Sequence, residues 1–326
     1  MNNVKVSILI PIYGVEKYIE RCAKSLFEQT YENIEYIYVN DCTKDKSIDI
    51  LNKVVKQYPH RIEQTKIIQH SKNRGLAAAR NTAISQCTGK FIMHIDSDDY
   101  IDKNAVECLV QKQLEKDYDI VTYDTKLYKS NRVNIIVSKD VNDNKQFVKY
   151  LLQRDISMNV CGRLIRLSLY KNNNIAHIEG LNMGEDYLVM PQLAYYAEKI
   201  GNIHNVFYHY DFTNSASYCN NYKRETIIQL WNVIECLEHF FHSKGNDYIE
   251  ALNIGKYKIY AKQRIDSCIN DDITIFNQVT LKYKTISNSY KKHLSLPYKF
   301  SLITDNMRVL KTYIYLCNVI RKMKLL

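Results

Sequence analysis

Residues 91–99 read FIMHIDSDD, a continuous apolar run from Phe91 to Ile95 that ends in Asp96, Ser97, Asp98 and Asp99. A short run of this kind reads as a buried strand, and acids at its end place negative charge on one edge of a sheet. Upstream, Val4–Ile10 reads as a first strand stopped by Pro11 and Ile34–Val39 as a second, with Ile62–Gln69 as a third. Between them, apolar residues recur at helical spacing over Val15–Gln29, Lys46–Gln57 and the small-residue segment Gly75–Cys87. Downstream, Asn104–Glu115 reads as a helix and Ile120–Tyr123 as a fifth strand. This βαβα order predicts an α/β fold, a mostly parallel sheet flanked by helices.

In such sheets ligands bind beyond the carboxyl ends of the strands. After the first strand stand Pro11, Tyr13 and Glu16; after the second, Asn40, Asp41 and Thr43; after the fourth, the acid cluster. The first turn, PIYGVEKY, has one glycine where a dinucleotide-binding fold needs three, and no phosphate-loop pattern ending in Gly-Lys-Ser/Thr is present. Phosphates are therefore not expected in a glycine-rich cradle. A cluster of acids meets phosphate through a divalent cation. Mg²⁺ or Mn²⁺ takes one or two carboxylates plus diphosphate oxygens, which suits a nucleoside diphosphate leaving group.

Three segments, VSILIPIYGVEKYIERCAKSLFEQTYENIEYIYVNDCTKD, NRGLAAARNTAI and GKFIMHIDSDDYI, resemble the successive motifs of family-2 glycosyltransferases. The resemblance is strong over residues 4–125, weaker over 150–217 and absent beyond. It implies a GT-A fold and inverting transfer of a sugar from a nucleotide-activated donor. It also implies that Asp41 bonds the nucleobase, that Asp96 lies near the ribose, that Asp98 holds the metal and that Asp99 shares either role. Arg80, or else Arg74, would contact the nucleotide, and Tyr13 would sit at the donor site. The chain departs from the family pattern at Asn40, where a first aspartate is usual, and at Cys42, where glycine is usual.

The second half is expected to hold the acceptor. An inverting transfer needs one general base for the acceptor hydroxyl. MGEDYLVM, residues 183–190, leads into a helical pattern and resembles the family's Glu-Asp motif. That gives Asp186 the role of base, with Glu185 as neighbour or alternative. Read from the residues alone, the pair is better explained as complementing the positive end of a helix; the resemblance is what favours catalysis. Asn202–Tyr210 is a further strand followed by the polar loop DFTNSAS, and His209 in it is a candidate second metal ligand by resemblance. Asp211 stands where an arginine is often found. Cys161, in CGRLIRLSLY, has no base partner in view, and that segment resembles a linking helix.

The chain has 326 residues and a net charge of +10. From Lys282 to Leu326 there are ten Lys/Arg against one acid, Asp305, so this tail holds almost the whole excess. Its last stretch, Asp305–Met323, is a basic amphipathic pattern with tyrosines, which fits either an anionic membrane surface or a packed helix with a solvated basic face. No nucleic-acid motif accompanies the charge, and no nucleic-acid partner is expected. Nine scattered cysteines without a Cys-x-x-Cys pair fit a reducing cytoplasm rather than a disulfide framework. A first strand at Val4 leaves no room for a signal peptide, and no apolar stretch is long enough to span a bilayer. The expected organisation is a nucleotide-sugar-binding half over 1–125, an acceptor-binding half of the same domain over 126–217 and a helical basic extension over 218–326. The expected function is transfer of a hexose-type sugar, UDP-linked, to a hydroxyl of a glycan or lipid-linked glycan, in the cytoplasm or peripherally on the inner face of the membrane. The alternatives are a catalytically degenerate partner in a glycan-assembly complex and a sugar-1-phosphate nucleotidyltransferase.

Overall fold

The computed structural model describes residues 4–129, 132–141, 143–211 and 222–323. It divides into two compact units: residues 1–151 with 156–220, and residues 152–155 with 221–326. In the first unit the strands are β1 (Val6–Ile12), β2 (Ile34–Asn40), β3 (Thr65–Gln69), β4 (Phe91–His94), β5 (Tyr100–Ile101), β6 (Ile120–Lys129), β7 (Arg132–Ile136), β8 (Leu164–Arg166) and β9 (Ile200–Asp211). Its helices are α1 (Ile19–Phe27), α2 (Ser47–Gln57), α3 (Leu76–Ser85), α4 (Ala105–Lys116), α5 (Asn144–Gln153), α6 (Leu167–Asn172) and α7 (Glu185–Tyr196).

Among the described residues the strands form one nine-stranded sheet in the order β3-β2-β1-β4-β8-β6-β9-β5, with β7 paired to β6. The first four neighbours are parallel, as the alternation predicts. β8 enters antiparallel between β4 and β6, and β9 returns parallel to β6. β1 does not stop at Pro11 but runs on to Ile12, with Pro11 in register with Val39. Its neighbour Leu9 is the last residue of β1 to pair with β4. The side on which proline lacks an N–H is thus a side where the ladder has ended. The segment expected to be a linking helix, 161–170, is instead the short strand β8 followed by α6.

Parallel strands buried on both faces are mostly apolar, and every residue of β2 and β4 is buried, the polar exceptions being Glu35, Asn40 and His94. Ala77, Ala78 and Ala79 let α3 lie close on β1 and β2, which sets the helix beside the carboxyl edge.

The second unit is helical: α8 (Arg224–Phe241), α9 (Asn246–Ile269), α10 (Ile273–Lys284), α11 (Leu296–Ser301) and α12 (Met307–Met323). Cys268, Phe276 and Leu310 form a buried cluster with Phe300, Met307, Tyr313 and Ile314 packed on it. One side of α12 therefore belongs to the unit's core, while Val309, Tyr315 and Leu316 are exposed. Among the described residues no helix is long and apolar enough to cross a membrane.

Candidate active site

Beyond β4 the acid cluster forms a tight turn, in which the Asp99 N–H donates to the Asp96 carbonyl at 3.0 Å. The four residues separate by burial. Asp99 is sealed inside: one carboxylate oxygen accepts from the Tyr208 hydroxyl at 2.6 Å and the other from the Asp211 N–H at 2.8 Å. Burial first, then the charges of Asp98 and Asp96, hold its pKa well above the ordinary carboxylate range. Both its oxygens tie β9 to the acid turn. Asp96 and Asp98 are half-buried. Arg21 of α1 reaches across to the Asp98 carbonyl and to the Asp211 carboxylate, both at 2.8 Å, over the Tyr100 ring. Asp211, where an arginine is common, is thus a counter-charge to Arg21.

Arg80 of α3 is completely buried. Its Nη1 donates to Glu185 at 2.6 Å and Asp186 at 2.5 Å, and its Nη2 donates to Asp96 at 3.0 Å and to the Cys161 sulfur at 3.3 Å. One guanidinium thus joins an acid of the strand edge to the two acids that open α7. It is neither a solvated helix-face residue nor a group turned outward to a nucleotide, since its four contacts are internal. Burial, then Asp186, raises the Glu185 pKa, and Arg80 only partly offsets this because it serves three carboxylates. Asp186 is raised for the same first reason and remains about a fifth exposed, with 19% of its side chain accessible. A carboxylate that is partly open and more basic than usual is suited to accept a proton.

At the second strand, Asp41 is also an internal hub. Its carboxylate accepts from the N–H groups of Arg74 (2.9 Å) and Gly75 (2.7 Å) and meets His70 Nδ1 at 2.7 Å. His70 Nε2 lies 2.9 Å from the Thr82 hydroxyl, so His70 links Asp41 to the middle of α3. Arg74 is exposed and pairs with Glu179. Asn40 serves its turn by accepting from the Thr43 N–H at 2.9 Å. Cys42, the other departure, sits at φ 59°, in the left-handed region where a Cβ is strained. Cys42→Gly should therefore raise stability by up to about 1 kcal/mol, the strain relieved exceeding the added freedom of the unfolded chain. A urea midpoint unchanged or lowered would show that the strain is not real.

Pro11 is the penultimate residue of β1, and Tyr13 and Glu16 lie on the turn after it. Tyr13 is 56% exposed, and Glu16 accepts from the Lys46 N–H at the start of α2. His209 is not where a metal ligand of Asp98 would stand. Its Nε2 meets Asp102 at 2.8 Å, its Nδ1 meets the Tyr128 hydroxyl at 2.9 Å, and its ring stacks on Tyr100. Neighbouring residues of a strand face opposite ways, and it is Tyr208 that meets the acid turn. Both ring nitrogens of His209 are thus engaged by Asp102 and Tyr128. The polar loop after it, at residues 212–217, lies outside the described residues.

A buried strand ending in acids, an arginine joining them to a second acid pair and an Asp-anchored helix fit one family. Residues 7–172 match the family described as Glycosyl transferase family 2. The chain belongs to that family. Its fold is the GT-A fold. Glycosyltransferase GlyA of Streptococcus pneumoniae is 39% identical over 116 residues, 36% of this chain and 16% of that protein. A poly(ribitol-phosphate) beta-glucosyltransferase of Bacillus spizizenii is 28% identical over 83% of this chain and 42% of its own length. The chain spans between 16% and 37% of the length of the first three curated relatives. Among solved structures, S. aureus TarS 1-349 in complex with UDP-GlcNAc superposes with a TM-score of 0.74 at 18% identity, over 95% of this chain and 92% of that one. A mannosyltransferase of Pyrobaculum calidifontis, in complex with GDP-Man and Mn2+, gives 0.56 at 12% identity over 95% and 86%.

For a family-2 enzyme, several residues of this edge were not singled out from sequence. Tyr208, His70, Thr82 and Arg21 bind the acids together, and Asn81 and Asn182 bind α3 to the loop before α7. Tyr208 was within reach of strand periodicity once one partner was known. The others act through contacts more than ten residues away in sequence, which spacing does not show.

Proposed function

We propose that this family-2 enzyme moves a hexose-type sugar from a UDP-sugar to a hydroxyl of a glycan or lipid-linked glycan, with inversion, by a single displacement. The observation that supports it most is Arg80, whose guanidinium touches Asp96 on the donor edge and Asp186 on the acceptor side. A base and a donor site on one short bridge suit direct attack without a covalent intermediate. Asp186 takes the acceptor proton while that oxygen bonds to the anomeric carbon, and the bond to the diphosphate oxygen breaks with its electron pair leaving on UDP. Arg80 holds the Asp186 carboxylate in place, and Glu185 beside it orients the acceptor. Asp41 and Tyr13 border the nucleoside, in a donor half over 1–125 facing an acceptor half over 126–217. Support for the substrates comes from the relatives: TarS was solved with UDP-GlcNAc, and the Bacillus protein is named for poly(ribitol phosphate).

The donor set at the acid turn fits a divalent cation. Burial, then the charges of Asp98 and Asp96, raises Asp99, so the negative charge of the turn rests on the two acids nearer solvent, where a cation would meet it. Mg²⁺ or Mn²⁺ needs only one or two carboxylates when a diphosphate supplies further oxygens, so Asp98, with Asp96 beside it, would hold the ion without His209. When bound it neutralises charge on the departing diphosphate. Asp98→Ala should abolish the Mn²⁺-dependent part of the thermal stabilisation by UDP while leaving the unliganded melting temperature near wild type. Metal-dependent stabilisation that survives the substitution would remove Asp98 from this role.

The second unit offers a surface for the membrane that presents a lipid-linked acceptor. Leu296, Ile303, Val309, Tyr315 and Leu316 are exposed on or beside α11 and α12. Among the described residues, Lys291, Lys292, Lys299 and Arg308 make no ion pair, whereas Lys284 and Lys311 do. Each basic side chain near an anionic surface contributes about 1 kcal/mol at low salt. Changing those four to Gln should release the protein from phosphatidylserine vesicles at low salt without altering UDP affinity. Unchanged co-sedimentation, or a wild-type protein that ignores such vesicles, would count against a membrane role.

A further inference from the structure

The loop between α6 and α7 delivers Glu185 and Asp186, and the structure shows what holds it. Asn81, one residue after Arg80 on α3, pairs with the backbone of His177 on both sides. Its amide donates to the His177 carbonyl at 2.6 Å, and its carbonyl accepts from the His177 N–H at 2.9 Å. A side-chain amide thus takes the place of a neighbouring strand and fixes both orientation and height of the loop. His177 is buried, its ring against His94 and Tyr170, so the anchor point is in the interior. A second tie lies nearer the base. Asn182 accepts from the Ala77 N–H at 3.3 Å, and its amide fills the space that a Cβ on Gly75 would need, with atoms 2.7 Å from that position. Gly75 also has φ +87°, which admits little else. The Arg74–Glu179 pair between these ties is exposed and contributes little.

We propose that Asn81 is a positioning residue for the reaction: by pairing with the His177 backbone it sets the course of residues 177–184, and so the place of Glu185 and Asp186, without touching either substrate. Asn81 and Arg80 are adjacent on one buried helix that Asp41 anchors at its start. The helix therefore grips the acceptor-side acids twice, by their charges and by the chain that leads to them. This inference rests on the reading of Asp186 as the base, and the experiment separates the two.

Hydrogen exchange of the full chain, its UDP affinity, and UDP release from UDP-GlcNAc with poly(ribitol phosphate) present are compared for wild type, Asn81→Ala and Asp186→Asn. In Asn81→Ala, exchange at residues 177–186 should rise about tenfold, the His177 amide first, while β1 and β2 keep their protection. The turnover number should fall roughly 10²-fold, the loss expected of a misplaced catalytic group, with UDP affinity and donor KM within about twofold of wild type. Wild-type exchange at 177–186, or exchange raised equally in β1 and β2, overturns the proposal. So does a fall in UDP affinity matching the fall in turnover. If Asp186→Asn keeps full turnover while Asn81→Ala still frees the loop and slows release, the base is misassigned but Asn81 still positions the catalytic loop.

Discussion

Asp186→Asn should lower sugar transfer by roughly 10²- to 10⁴-fold, the loss typical when a general base is removed. The amide keeps the shape of the carboxylate but accepts no proton, so binding and chemistry separate. UDP affinity should stay near wild type, because Asp186 meets Arg80 rather than the turns after β1 and β2 proposed to border the nucleoside. Collapse of UDP binding would place Asp186 in the donor site, and Glu185, on the same guanidinium at 2.6 Å, would be the next candidate for the base.

Arg80→Met should have the largest effect on folding. Methionine fills similar space but leaves Asp96, Glu185 and Asp186 without their shared cation. Breaking a buried pair from one side costs about 3–5 kcal/mol. The urea midpoint should fall accordingly, and UDP with Mn²⁺ should restore only part of it. A loss below about 1 kcal/mol would mean that the acids find solvent or each other without Arg80. The crowding of acids around Arg80 should also appear in the pH dependence of wild-type stability. Glu185 is raised from 4.5 to about 8, by burial and then by Asp186. The native state therefore binds a proton that the unfolded state has released, and this group's contribution makes stability decline as pH rises from about 4.5 to about 8. Glu185→Gln should flatten that part of the profile.

The fold was legible as far as local periodicity reached. β1 to β4 and their helices have apolar runs whose lengths and spacing set their type, and the acids after β4 marked the edge that matters. What failed were elements defined by distant partners. β8 has three residues and β5 has two, each too short to show a period, and each exists because a strand far away in sequence pairs with it. The same limit governed the site. Asp98, Asp186 and Arg80 stood out by motif, but not that Arg80 would be buried between them. The burial of Asp99 and the pairing of His209 with Asp102 were equally out of reach, because a sequence shows a carboxylate or an imidazole and not which way it faces. One residue of strand register decides between Tyr208 and His209, and no pattern in NIHNVFYHY favours either.

The two hydrogen bonds that seal Asp99 span 109 and 112 residues, and those from Arg80 to the acids of α7 span 105 and 106. Contacts at such separation form only after a long stretch of chain has been ordered. The first 125 residues contain the whole acid turn, yet not the tyrosine that caps Asp99 nor two of the three carboxylates that meet Arg80. Cut free, that segment would leave Asp99 uncapped and Arg80 with Asp96 as its one acid partner of the three. It is a module by resemblance but not by physics: its acid edge is complete only with β9 and α7 docked on it.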